Sequence, residues 1–139
     1  MKVRDALGAY FARHGLDRGG YAARRFRVPL GLVTLTFPNP GRLHLHDLHH
    51  VALDAPPTFW GEVEVSALEL RAGPPTALIA LLCVGALALG CLVGPARTAR
   101  AWRRARGARH LYGEAYEALL EEELATLRER VGLAGLDAS

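Results

Sequence analysis

Residues 43–50 read LHLHDLHH, so four of the chain's six histidines (His44, His46, His49 and His50) crowd around Asp47. Imidazole and carboxylate are ligands for divalent cations such as zinc, iron and manganese. On a helix advancing about 100° per residue, His50 falls about 40° from His46, and Asp47 about 100° from it. His46 and His50 form an i,i+4 pair and Asp47 and His50 an i,i+3 pair, so the three make one patch. A fourth ligand must come from another element. Glu62 opens the next helical stretch, beyond Pro56 and Pro57, where an antiparallel hairpin would carry it across. Glu64 points to another face. Glu69 shares the face of Glu62 but lies about two turns further on. Two nitrogens and two carboxylates do not suit a structural zinc finger, which uses cysteine. An incomplete shell leaves room for a bound water or substrate, and so for catalysis, with no other side chain singled out as catalytic. The bland alternative is a solvated polar face, and His49 beside His46 is placed to act as a supporting group.

These residues need elements to hold them. The spacing predicts a helix over 43–53, closed by Pro56 and Pro57, and a second over 59–71 for which Thr58 is a capping residue. Residues 2–14 suit a short helix, with Val3, Leu7, Tyr10 and Phe11 near one face. Gly15, Gly19 and Gly20 interrupt the pattern after it. Residues 26–37 alternate apolar residues with Thr34 and Thr36, with a bend at Pro29 and Gly31, so a small β-hairpin fits; Pro38, Asn39, Pro40 and Gly41 end it. Further on, a charge-free helix is expected over about 76–94. A basic helix follows over about 95–112, opened by Pro95, and an amphipathic helix over about 114–131 carries Leu120, Leu124, Leu127 and Val131. The tail beyond Gly132 is expected to fray. The fold class is therefore mainly α: one compact helical domain over 1–139, with a small N-terminal β-hairpin and one highly apolar helix.

Composition bears on what this domain meets. Half of the residues are apolar, enough for a packed core. Lys2 is the single lysine, and Ala, Gly, Leu and Arg are abundant, a composition suited to a GC-rich bacterial genome. The net charge is +3, but charge is segregated: Arg97, Arg100, Arg103, Arg104, Arg106 and Arg109 occur without an acid, and six glutamates follow over 114–130. A basic segment directly after the most apolar one suits an anionic membrane surface, and no nucleic-acid motif accompanies it. A span over 76–94 would sit at the lower edge of the roughly 20 residues a bilayer needs. Gly90 and Gly94, with Ala86 a turn earlier, form a small-residue stripe that could pack helices or admit an isoprenoid chain. Trp60 and Trp102 suit either a membrane interface or ordinary packing. Cys83 and Cys91 would stand about 12 Å apart along one helix, too far for a disulfide, and read as small buried residues.

The run His46-Asp47-Leu48-His49-His50, then eleven residues, then Glu62 resembles the signature of the coenzyme Q biosynthesis protein four family, the ubiquinone biosynthesis metal-binding family. Phe37-Pro38-Asn39, Gly61-Glu62 and Ala67-Leu68-Glu69-Leu70 also resemble its flanks, so the likeness is clearest over about 37–70. The resemblance implies a mostly helical fold and a divalent metal, zinc first, with iron or manganese as alternatives. The ligands would be His46, Asp47, His50 and Glu62. It further implies peripheral attachment to the cytoplasmic face of a bacterial inner membrane, and an apolar channel for a polyprenyl tail. The reaction would be the decarboxylation, in its oxidative form with oxygen installed, of a polyprenyl hydroxybenzoate-type lipid at its ring carbon. Partners would be that lipid, the membrane surface, other members of a quinone-biosynthesis complex and a second copy of the chain. Family members are commonly longer, with more helices ahead of the motif.

Three other functions compete. A membrane di-iron desaturase would use His46-x-x-His49-His50 as one histidine box, but needs about eight histidines where this chain has six. A His-Asp phosphohydrolase needs a distant aspartate, and Asp137 is the only one after Asp54. The third is not an enzyme: a lipid-binding or scaffold protein of a quinone-synthesis complex, with a structural metal.

Overall fold

The element that carries the histidines is a helix because nothing between Leu43 and Leu53 opposes one: no glycine, no proline and a single β-branched residue. Asp54 ends it in the left-handed region (φ 52°), and the N–H of Ala55 returns to the His50 carbonyl at 2.9 Å. In a computed structural model, residues 1–16, 25–29, 34–38 and 42–133 are described. The chain is mainly helical. In order it runs α1 (Val3–His14), β1 (Arg25–Pro29), β2 (Thr34–Pro38), α2 (Leu43–Leu53), α3 (Phe59–Ala72), α4 (Ala77–Val93), α5 (Pro95–Arg104), α6 (Tyr116–Glu121) and α7 (Leu124–Arg130). β1 and β2 pair antiparallel, with Arg25 opposite Pro38 and Val28 opposite Leu35. The breaks expected at Gly19, Gly20, Gly31, Asn39, Pro40 and Gly41, and the tail beyond 133, lie outside the described residues.

One core unites the helices. Leu7 and Tyr10 of α1, Leu48 and Ala52 of α2, Val63 and Leu68 of α3, Cys83 of α4, and Leu119 and Leu127 near the C-terminus are all buried in it. Thr58 occupies the N-cap position of α3, but its hydroxyl makes no capping bond, contrary to the sequence expectation. What fixes α3 instead is close approach: a Cβ on Gly61 would overlap the Pro56 carbonyl oxygen. That contact seats the first turn of α3 on the proline turn.

α4 lies on α3 and α5 through Ile79, Cys83 and Gly90. The small-residue stripe is filled from within the chain. A Cβ on Gly90 would stand 2.7 Å from Thr98 Oγ1, and one on Gly94 2.6 Å from the Trp60 ring. The side of α4 opposite Ile79, Cys83 and Gly90 carries Leu81 and Leu92, with Val84 and Val93 on its flanks, all exposed, Leu92 by 82%. Cys91 is exposed too, against the expectation of two buried cysteines; Cys83 is buried, and both are free thiols. Among the described residues no helix is long and apolar enough to cross a membrane, which overturns the span weighed for 76–94.

Two expected helices are shorter than their sequence patterns. The basic helix stops at Arg104, not 112: Gly107 adopts a positive φ of 75°, the Arg109 N–H donates to the Val131 carbonyl, and the Leu111 N–H donates to His49. The helix expected over 114–131 is broken at Glu122 and Glu123. There the Val3 N–H donates to the Glu122 carbonyl and the Leu124 N–H to the Met1 carbonyl, each at 2.9 Å. In both places tertiary hydrogen bonds, to backbone carbonyls and in one case to the His49 ring, replace intrahelical ones, which satisfies the same backbone groups and frees the chain to turn.

Candidate metal centre

α2 offers His46, His49 and His50 to α3, which runs back along it. Glu62, in the first turn of α3, meets His46 and His50. Glu69, seven residues and about two turns later, meets His46 and His49. Two groups of possible ligands result: His46, His50 and Glu62, and His46, His49 and Glu69, each with ligand atoms within 4.8 Å of one another. The two histidine–glutamate clusters are thus within metal-binding distance. Their hydrogen bonding separates them.

In the first group each imidazole has its far nitrogen occupied. His46 Nδ1 lies 2.8 Å from Glu69 Oε1, and His50 Nδ1 lies 3.1 Å from the Ala55 carbonyl. Both acceptors demand an N–H, so both rings carry the proton on Nδ1. The two Nε2 atoms then face each other at 3.2 Å, with Glu62 Oε2 at 3.3 Å from one and Oε1 at 3.2 Å from the other. Ligand atoms held about 2.0–2.1 Å from one zinc at tetrahedral angles stand about 3.3 Å apart. The Nε2–Nε2 separation has that length, and each imidazole meets Glu62 at a similar distance through a different carboxylate oxygen, so the donor set and its spacing are compatible with a divalent cation. His50 is fully buried, whereas His46 and Glu62 keep about a quarter of their side chains exposed (22% and 24%), so the triangle opens to one side.

Without a cation a proton must separate the facing nitrogens. Burial alone would lower the His46 pKa, but the Glu69 and Glu62 carboxylates outweigh it and raise it well above the ordinary value. The same two imidazoles hold Glu62 far below the carboxylate range against the opposing effect of burial. Metal binding there displaces a proton.

The second group is a closed hydrogen-bond network. His49 Nε2 accepts the Leu111 N–H at 2.8 Å, so its proton is on Nδ1 and goes to Glu69 Oε1 at 2.7 Å. Burial keeps this ring neutral by lowering its pKa. Neither nitrogen of His49 is left for a metal. The Tyr112 hydroxyl donates to the same Glu69 oxygen at 2.7 Å.

Of the residues expected at the site, His46, His50 and Glu62 converge and Asp47 is not one of the converging group. Asp47 is half-buried one residue along from His46, about 100° round α2, and its charge acts on the buried Tyr10 hydroxyl of α1, whose pKa burial and then Asp47 raise. Sequence reasoning ranked Glu69 below Glu62 and gave Tyr112 no role. The i,i+7 spacing of the two glutamates is the signal that puts both on one face. No protein-family model matches the chain, and no curated protein or solved structure does.

Proposed function

We propose that the chain binds one divalent cation, zinc first, between His46, His50 and Glu62 and acts in ubiquinone biosynthesis. Its substrate in this reading is a polyprenyl hydroxybenzoate-type lipid, decarboxylated at the ring carbon that bears the carboxylate. The observation that carries the metal reading is the pair of Nε2 lone pairs facing each other over the Glu62 carboxylate, with both Nδ1 protons used elsewhere. A cation held there would supply Lewis acidity toward a carboxylate or phenolic oxygen. The lipid and the reaction rest on the resemblance of His46-Asp47-x-x-His50, eleven residues and Glu62 to the family signature, which adds Asp47 as a fourth ligand. The bare apolar side of α4, followed by the exposed Arg100, Arg103 and Arg104, supports a site served from an anionic membrane surface.

The scaffold reading draws on a different observation. The Glu69 network beside the centre ties α2, α3, α4 and residues 111–112 together through buried hydrogen bonds, and a cation between His46, His50 and Glu62 would add a further cross-link between α2 and α3. Metal content by mass spectrometry, on wild type and on His50→Ala, Glu62→Ala and Asp47→Asn, tests the site. The expected result is about one metal per wild-type chain, lost in the first two variants and largely kept in Asp47→Asn. Loss in Asp47→Asn as well would restore Asp47 as a ligand. A wild-type chain without metal after reconstitution would sink the centre. Release of CO2 from a prenylated 4-hydroxybenzoate by the loaded protein separates the enzyme from the scaffold.

A further inference from the structure

We propose that Glu69 is the positioning residue of this centre: it takes the Nδ1 proton of His46, leaves the Nε2 lone pair to the cation, and is not itself a ligand. The inference rests on the metal reading above and says which of two neighbouring carboxylates does what.

Glu69 Oε1 accepts three hydrogen bonds, from His46 Nδ1 at 2.8 Å and from His49 Nδ1 and the Tyr112 hydroxyl at 2.7 Å each. Three donors saturate the lone pairs of one carboxylate oxygen and leave none for a cation. The other oxygen faces Cys83 Sγ at 3.6 Å. Glu69 is fully buried, so a swing toward the Nε2 atoms would strand three buried donors. Two of those donors are anchored in turn. His49 is held by the Leu111 N–H, and Tyr112 follows in the same stretch. This also accounts for the chain leaving the helix after Arg104: a helix through 112 would keep the Leu111 N–H for itself. Glu62, by contrast, is met by the two Nε2 atoms. A carboxylate on the far nitrogen of a ligating imidazole fixes the tautomer and ring plane and makes the near nitrogen a stronger donor.

Zn2+ affinity of the full chain, measured by competition with a chromophoric chelator, tests this on wild type, Glu69→Gln and Glu62→Gln. Glutamine keeps the shape and an oxygen for the three donors but loses the charge. Wild type and Glu69→Gln should each bind one Zn2+, the variant about 10–100-fold more weakly, whereas Glu62→Gln loses stoichiometric binding. Equal affinity for wild type and Glu69→Gln would make Glu69 a bystander, and loss as complete as in Glu62→Gln would make it a ligand; either overturns the inference alone. Failure of wild type to bind Zn2+ overturns the metal reading and this inference with it. Histidine 15N NMR of the Zn2+-loaded wild type needs no variant. It should show metal on Nε2 of His46 and His50, protons kept on both Nδ1 atoms, and His49 free of metal. Zinc on His49, or on Nδ1 of His46, would overturn the inference.

Discussion

Glu69 gives the metal-free protein a pH dependence of defined sign. Burial would raise its carboxyl pKa, but the His46 charge and the hydrogen bonds from His46 and His49 hold it well below the ordinary value. A carboxylate whose folded pKa lies below its unfolded value of about 4.3 contributes stability that is complete above that value. The contribution fades as the pH falls through the folded pKa. Glu69→Gln has no proton to exchange, so its unfolding free energy should vary less between about pH 5 and 3. At neutral pH it should be lower by about 1–3 kcal/mol, because bonds to a charged acceptor become bonds to a neutral one. Denaturant titrations of both metal-free proteins across that range check this, and parallel pH profiles would rule it out. His46, His50 and Glu62 were legible in the sequence because their convergence depends on one helical repeat and one proline turn. Of Glu69 only the shared face with Glu62, and of His49 only a supporting place, could be read; their bonds and the part of Tyr112 could not, because these are set by where the Leu111 N–H and the Tyr112 hydroxyl arrive from a segment some sixty and forty residues away in sequence. Asp47 shares the helical patch of His50 but stands outside the converging group, because Glu62 and Glu69 of α3 approach His46, His49 and His50 instead.

The turn between α2 and α3 decides whether those side chains meet at all. Gly61 sits against the Pro56 carbonyl with no room for a Cβ, one residue before Glu62. Gly61→Ala must push α3 away from the turn, since the obstacle is backbone and cannot rotate aside. It should cost about 3 kcal/mol and weaken metal retention together with stability. Gly8→Ala in α1 is the control: nothing lies within 4 Å of its Cβ position, so it should be neutral or stabilise by up to about 1 kcal/mol. Thermal unfolding and metal content of the two variants check this, and a Gly61→Ala protein as stable and as metal-replete as wild type would refute it. α2 and α3 could be read from sequence because their caps and breakers are local: Asp54 with Pro56 and Pro57 at one junction, Gly73 with two prolines at the next. The stretches after Arg104 and through Glu122 could not. Their apolar spacing is genuinely helical, with Leu120, Leu127 and Val131 all buried, yet Met1 and Val3 claim the backbone groups at the break. Periodicity reports which side chains face the core and is silent on which partner a backbone N–H finds.

At the scale of the whole molecule the unresolved asymmetry is α4, covered on one side and bare on the other. Leu81, Val84, Leu92 and Val93 are exposed with no polar group on the helix to shield them. Leu81 and Leu92 would each contribute about 1.5–3 kcal/mol if taken fully out of water. Arg100, Arg103 and Arg104 lie just beyond in exposed positions on α5, and Trp102 stands among them with the Arg71 guanidinium 4.8 Å from its ring. Each arginine near an anionic lipid surface adds about 1 kcal/mol, falling within a Debye length as salt rises. If a membrane covers this side, the protein should co-sediment with vesicles containing phosphatidylglycerol but weakly with purely zwitterionic ones, and binding should decline with salt. Leu81→Glu with Leu92→Glu should abolish co-sedimentation while leaving the metal content unchanged, since neither residue touches the histidine cluster. Arg103→Glu with Arg104→Glu should weaken it and flatten its salt dependence. A second copy of the chain would cover the same leucines but respond differently: sedimentation velocity would show a dimer that the leucine pair dissociates, with wild type indifferent to vesicle charge. That pattern would replace the membrane with a self-association surface and leave the lipid substrate without a route along α4.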